Sequence, residues 1–484
     1  MQVEQHDSQS CFKNKGGTDS QNKVMTSQKV LLYLIIVLLS LGLICLLFPK
    51  DGLNIFGIQI TMPTLEEIFS FSSSEYADVE SVVSTCEQKP SINQADSTQD
   101  SSVVSFEYDS VLRERFDSLF SRLDRAKAQE GVVRIVHYGD SQVEADRITG
   151  TIRKDLQKNF GGRGQGWISL FSRSTIRGVS FHYSPNWAFC CVLEPKRGLN
   201  RYGIGLSSIK ALADSVSQTA TVEMAFATKP AGNIVLYCAS PETEGSVIIS
   251  NGQDEISQVQ IDASFDVQRI VISSDSFGKV LKLQATSGVE LYGMNVSSNS
   301  GVLVDNISLR GSSGWGIRGS NASLLQHFYS ELGVDMIIMQ FGVNAIPQEK
   351  DKVIEDYTFY KKEFAKQLRF LQAMAPEALI VVVGVSEKRI KKSGKYVTNP
   401  NVLKLRQAQR QAALENGCVF WDLFEAMGGE NSMPAWVLRE EPLANKDFIH
   451  FNEKGAAMVA EMFLKSFYKE YKRYKDDCNM QKIR

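Results

Sequence analysis

The sequence predicts an α/β protein whose parallel sheet is covered on both faces, interrupted by an inserted β-sandwich of jelly-roll type and preceded by one transmembrane helix. Three observations predict it. Near-continuous apolar runs alternate with helix-spaced segments on either side of a long middle region, as a doubly covered parallel sheet requires. The middle region consists of short apolar runs separated by turn residues, the pattern of antiparallel strands. Close to the amino end stands a single long run without charge.

That run, Val30 to Phe48, reads VLLYLIIVLLSLGLICLLF, 19 residues bracketed by Lys29 and Lys50. It is close to the roughly 20 residues that cross a bilayer as helix. A cleaved signal peptide has a shorter apolar region and ends in small residues, which FPKDGL does not offer. Lys13, Lys15, Lys23 and Lys29 precede the span, so residues 1–29 are expected as a cytoplasmic tail, 30–48 as the membrane helix, and the rest outside, periplasmic or extracellular. Residues 49–105 read as a linker, because 71–102 are rich in Ser, Asp and Gln with few apolar anchors.

The α/β body opens with Leu112, Phe116, Leu119, Phe120 and Leu123 at helical spacing, followed by a strand at Val132 to Val136. A helix is predicted over about Asp146 to Phe160, then the glycine-rich GGRGQGW. TATVEMAFA, NIVLYCA, GSVIIS, QRIVISS, KVLKLQA and VELYGMNV are the strands of the insert, bounded at 171–300. Strand and helix alternate again afterwards: VLVDNISL, a helix over Ser320 to Leu332, DMIIMQFG, a helix over Lys352 to Met374, ALIVVVGV, a helix over Asn401 to Asn416, CVFWD, and a last helix from Glu453. The body is thus expected over 106–170 and 301–475, with 476–484 as a tail.

A formal charge of −2 with 22% charged residues offers no basic field for a phosphate backbone, which argues against nucleic acid as a partner. Eight cysteines are scattered without a CxxC pair, and no histidine stands at zinc-finger spacing, so no metal is expected. In an exported domain Cys190 or Cys191 could pair with Cys238, and isolated buried thiols fit equally well.

The strand RIVHY runs into Gly139-Asp140-Ser141-Gln142, which places Ser141 at the carboxyl end of the first strand, where open α/β sheets bind ligands. A helix-capping serine fits that position as well. Serine becomes a useful nucleophile only when a neighbouring base takes its proton, and histidine is suited to that. Of the five histidines, His6 falls in the tail, His182 in the insert, and His137 and His327 in a strand and a helix. His450 is the loop candidate, in Asp447-Phe-Ile-His450, with Asp447 placed to hold its tautomer. Two glycine-bearing loops follow apolar strands: Gly311-Ser-Ser-Gly314-Trp-Gly316 and Gly342-Val-Asn344-Ala. The Gly314 N–H and the Asn344 amide are suitable donors to an oxyanion, and each is also an ordinary turn residue.

Taken in order, these four segments resemble the blocks of the SGNH hydrolases, also called GDSL esterases: GDSQ the first, Gly314 the second, GVNA the third and DFIH the fifth. The resemblance covers about Val132 to Gly166 and Asn306 to Phe467, and implies a flavodoxin-like three-layer α/β/α SGNH fold. It implies Ser141 as nucleophile, Asp447 and His450 as its partners, and an oxyanion hole of Ser141, Gly314 and Asn344, with no cofactor. Two positions depart from the pattern: Gln142 stands where the family has leucine, and Ala345 where an aspartate often follows the asparagine. Ser141 and Gly314 are 173 positions apart, far more than the family's usual few dozen, so a whole domain is inserted. Exported peptidoglycan O-acetylesterases are similar in layout, with a β-rich, carbohydrate-binding-like insert; the resemblance therefore implies an O-acylated glycan as substrate.

Three other readings are open. Gly314-Trp-Gly316-Ile-Arg-Gly319 is a literal G-x-G-x-x-G, but no acidic residue ends the next strand, Asp335 preceding it, and a nucleotide cofactor is not expected. An O-acetyltransferase would use the same Ser-His-Asp site. A non-catalytic polysaccharide-binding envelope protein would use the insert alone.

Overall fold

The computed structural model describes residues 27–48, 53–55, 58–60, 77–87 and 103–483, apart from 196–199, 214–217, 231, 348–351 and 393–394. The chain forms two compact units, Met1–Ser72 and Ser73–Arg484. In the first, Ser27–Leu47 is one helix, and its Gln28–Leu47 stretch has a mean hydropathy of 3.1 with its apolar side chains exposed. By length and composition it is able to cross a membrane. A short hairpin follows, Leu53–Ile55 against Ile58–Ile60. Of the expected cytoplasmic tail only Ser27–Lys29 is described, as the start of the Ser27–Leu47 helix; residues 1–26 and most of the linker lie outside the described residues.

Within the second unit we number the elements of the α/β body: α1 (Arg113–Lys127), β1 (Val132–Gly139), α2 (Thr149–Phe160), β2 (Gly301–Ser308), α3 (Ala322–Leu332), β3 (Val334–Gln340), α4 (Thr358–Met374), β4 (Leu379–Val383), α5 (Pro400–Glu415), β5 (Val419–Trp421) and α6 (Glu453–Ile483). The five strands are all parallel and run in the order β2-β1-β3-β4-β5. Alternate residues of β1 serve opposite faces. Val133 and Ile135 enter a core with α1, α2 and α6, whereas Val136 and Tyr138 enter one with α3, α4 and α5. This is the three-layer, flavodoxin-like SGNH arrangement, and its strand order reverses between β1 and β3, the place where such sheets bind ligands.

Between α2 and β2 the chain builds two antiparallel sheets. One orders Glu255–Ile261, Gly245–Ser250, Val280–Thr286, Thr219–Phe226 and Val179–Tyr183; the other orders Ser264–Ile272, Asn233–Ser240, Glu290–Ser297, Ser207–Ala211 and Trp187–Cys191. Gly166–Ile168, expected in the body, pairs instead with Glu290–Ser297, so sandwich pairing begins ahead of residue 171. The central strands of the second sheet are buried on both faces. Along Asn233–Ser240, Ile234, Leu236 and Cys238 point into the sandwich core, while Val235, Tyr237 and Ala239 join the α3–α5 core of the body. A strand covered on both sides needs apolar residues throughout, which is why NIVLYCA shows no alternation.

The same geometry bears on the thiols: Cys45, Cys190, Cys191, Cys238, Cys418 and Cys478 are in no disulfide. Two strands, Ser207–Ala211 and Glu290–Ser297, separate Trp187–Cys191 from Asn233–Ser240, so neither Cys190 nor Cys191 forms the bridge to Cys238 that the sequence allowed.

Three local expectations are corrected. Part of the supposed tether is docked: Glu80–Glu87 is a helix that, with Val79 and Val83 four residues apart, enters the α1–α2–α6 core. α4 begins at Thr358 instead of Lys352, where the Asp356 carboxylate accepts the Thr358 N–H and starts the first turn. The segment expected as a tail continues α6 to Ile483.

Candidate active site

β1 delivers the chain into a tight turn at its carboxyl end. The Asp140 carboxylate is buried beneath it and accepts the N–H groups of Gln142, at 2.9 Å, and of Gly342 and Val343. One side chain thereby ties the Ser141 turn to the loop that follows β3. Burial pushes the Asp140 carboxyl up to about 7, against the pull of those N–H groups and of Arg147.

Ser141 Oγ lies 2.8 Å from His450 Nε2, and His450 Nδ1 lies 2.7 Å from Asp447 Oδ2. The other oxygen of Asp447 accepts the N–H groups of Ile449 and His450 at 2.9 and 3.0 Å. Partial burial raises the Asp447 carboxyl, but its bonds to the His450 ring and to those two N–H groups outweigh it and hold the carboxyl below its ordinary range. An ionised Asp447 accepts a hydrogen bond from Nδ1–H, which fixes the proton on Nδ1 and leaves Nε2 as an acceptor for the serine hydroxyl. Phe448, within this loop, sits at φ 58, a left-handed conformation that a bulky residue adopts only where its surroundings enforce it.

The two expected oxyanion donors converge on Ser312. Asn344 Nδ2 donates to its carbonyl at 3.0 Å, and the Gly314 N–H donates to its hydroxyl at 3.0 Å. Asn344 is exposed, and an amide nitrogen carries two hydrogens, so one remains for a ligand. The Gly314 N–H must exchange its bond with Ser312 to serve. Gly314 has φ 89, and a Cβ there would stand 2.9 Å from Phe364, so only glycine fits.

The remaining histidines stand apart. His137 is buried and satisfied on both nitrogens, by Thr149 Oγ1 at 2.9 Å and Gln340 Oε1 at 3.0 Å; burial pushes it down to about 4, so it is neutral at neutral pH. His182 and His327 are exposed on the insert and on α3, and His6 lies outside the described residues. The G-x-G-x-x-G run leads only into a single 3-10 turn, Ile317–Gly319; α3 starts later, at Ala322, capped by the Asn321 side chain.

Sequence reasoning missed Arg147 and Ser312, and treated Gln142 only as a departure from a pattern. It also missed how closely the insert approaches the site. Ala145 N–H donates to the Thr175 carbonyl, and the Thr175 N–H donates to Glu144, so a loop of the insert lies against the segment just after Ser141. Ala145 and Asp146, at φ 56 and 61, are consecutive left-handed residues there, with Asp146 held by Arg153 in a buried two-bond pair.

Residues 285–458 match the model of the GDSL-like Lipase/Acylhydrolase family. With the parallel sheet, that match shows a GDSL-like lipase/acylhydrolase domain over that part of the chain. A solved peptidoglycan O-acetylesterase is 20% identical, with a TM-score of 0.58 over 74% of this chain and 96% of its own, and shares the fold. A family two carbohydrate esterase from Clostridium thermocellum, in complex with cellohexaose, is 10% identical over 59% of this chain and 97% of its own, with a TM-score of 0.22. No curated protein matches the sequence.

One buried carboxyl near the site gives a pH prediction. Glu387, just past β4, is fully buried, and burial raises it from 4.5 to about 7 against the opposing bonds from Met433 N–H and Thr398. Its folded value lies above its unfolded one, so its stabilising effect is complete below about 4.5 and is lost as pH rises through about 7. Wild type is expected to lose about 3 kcal/mol relative to Glu387→Gln between pH 4.5 and 8, read by denaturant unfolding. A difference that does not change with pH overturns this.

Proposed function

We propose that this protein is a membrane-anchored serine esterase that removes O-acyl groups, most simply O-acetyl, from a glycan outside the cytoplasm. The observation that carries the chemistry is the continuous chain Ser141 Oγ, His450, Asp447, at 2.8 and 2.7 Å, at the switch point of the sheet. His450 takes the Ser141 proton as Oγ attacks the ester carbonyl. The oxyanion is received by the Ser141 and Gly314 N–H groups and the Asn344 amide. His450 returns the proton to the departing sugar hydroxyl. Water, activated by the same imidazole, then releases the acid from the acyl-serine.

The anchor reading is supported by the Ser27–Leu47 helix with lysines on its amino side. The glycan reading is supported by the rim. Trp315, next to Gly314, is 36% exposed and meets Phe359, 66% exposed, at 5.8 Å with the rings nearly perpendicular. Exposed aromatic pairs of this size mark contact surfaces, and the apolar face of a pyranose ring suits them. The solved peptidoglycan O-acetylesterase of like fold points the same way.

Acetate release from O-acetylated peptidoglycan, measured beside acetyl gain on a glycan acceptor, separates hydrolysis from transfer. Release without transfer is expected; transfer without release would make the enzyme an O-acetyltransferase. Trp315→Ala is expected to raise KM for the glycan about ten-fold, roughly 1.4 kcal/mol, while leaving kcat/KM for phenyl acetate unchanged. Equal losses on both substrates would remove Trp315 from glycan binding.

A further inference from the structure

Gln142 stands beside the nucleophile where the GDSL pattern carries leucine, and it is 2% exposed. Its amide reaches across to the loop that bears His450. Nε2 donates to the Ile449 carbonyl at 2.7 Å and to Ser386 Oγ at 3.4 Å, and Oε1 accepts the Phe451 N–H at 3.3 Å. The two backbone groups it holds are those on either side of His450. Arg147 completes the connection from the same turn: Nη1 donates to the Phe451 carbonyl at 2.8 Å, Nη2 to the Ser141 carbonyl at 2.5 Å, and Nε to the Glu144 carbonyl at 3.0 Å.

We infer that Gln142 and Arg147 are positioning residues, a clasp that fixes the His450 loop in register on the Ser141 turn so that the imidazole and the hydroxyl meet before substrate arrives. The inference rests on the esterase reading. Ser141 and His450 are 309 positions apart, and their own contact is a single neutral hydrogen bond, which has little power to order two loops. Gln142 and Arg147 add three further bonds between turn and loop, two of them to a buried primary amide that supplies a donor and an acceptor at once. Leucine, with neither, cannot do this. A shift of about 1 Å in a reacting group costs on the order of a hundred-fold in rate, so the clasp acts on kcat and leaves ground-state binding alone.

The test uses the full chain with phenyl acetate as substrate. Gln142→Met keeps the shape and loses the polar atoms; its kcat is expected to fall about ten- to a hundred-fold with KM within two-fold and near-UV circular dichroism unchanged. Gln142→His, whose neutral imidazole also offers one donor and one acceptor, is expected to recover most of that loss. Wild-type kcat in Gln142→Met overturns the inference alone. So does a fall in kcat that merely tracks lost folded signal and is not recovered by Gln142→His. A wild type that neither hydrolyses phenyl acetate nor reacts with a fluorophosphonate overturns the esterase reading, and the inference with it.

Discussion

Ser141→Ala is expected to lower kcat for phenyl acetate by about 10⁴- to 10⁶-fold, with the fold intact. Ser141 is buried and makes one side-chain hydrogen bond, the 2.8 Å bond to His450, so truncation removes the proposed nucleophile and disturbs little else. His450→Ala is expected to cost nearly as much, and the double variant hardly more, because nucleophile and base act as one unit. Asn344→Ala is expected to lose less, about 10²- to 10³-fold, since it removes one of the three proposed oxyanion donors and leaves the serine in place. The measurements are steady-state rates and fluorophosphonate labelling. Labelling of Ser141→Ala at another serine would overturn the site assignment.

Arg134→Met is expected to destabilise the whole second unit by about 3–5 kcal/mol. Arg134 is 1% exposed in the middle of β1; its guanidinium donates to Asp305 of β2 at 2.7 Å and to Asn295 of the sandwich at 2.5 Å, and its backbone N–H donates to Asp335. The other oxygen of Asp305 accepts the Trp167 N–H at 2.7 Å. Methionine fills much the same volume but leaves the Asp305 carboxylate buried with no cation, and the strength of the effect comes from that stranded charge. The Arg134→Met, Asp305→Leu double variant is accordingly expected to regain part of the loss. Because this network and the shared core join body and sandwich, denaturant unfolding of both variants and wild type should show one transition for the two together. Two separate transitions, or a loss below about 1 kcal/mol, would contradict this account. The shared core also means that cutting out the insert removes one wall of the α3–α5 core, so a deletion variant reports on folding before it reports on glycan binding.

Much of the architecture was legible because it is locally encoded. Apolar runs such as LIVVV announce a strand covered on both faces, and the helix spacing of Leu112 to Leu123 announces α1. Where local signals mislead, tertiary burial wins. Glu80–Glu87 lies in a polar stretch, yet two valines on one helical edge are enough to dock it. The sandwich strand Gly166–Ile168 hides in a glycine-rich segment because its pairing partner stands more than a hundred residues away.

Local patterning along the chain encodes the uncharged amino-terminal run, the alternation of strands and helices, the insertion between Ser141 and Gly314, and the residue types able to perform acyl chemistry. Each depends on neighbours within a turn or a strand. Long-range packing set the strand order, the burial of the central strands of one sandwich sheet on both faces, the meeting of Ser141 with His450, and the bonds from Gln142 and Arg147 that join their loops. Those depend on packing between segments hundreds of positions apart, and no periodicity along the chain records which distant surfaces will exclude water from one another.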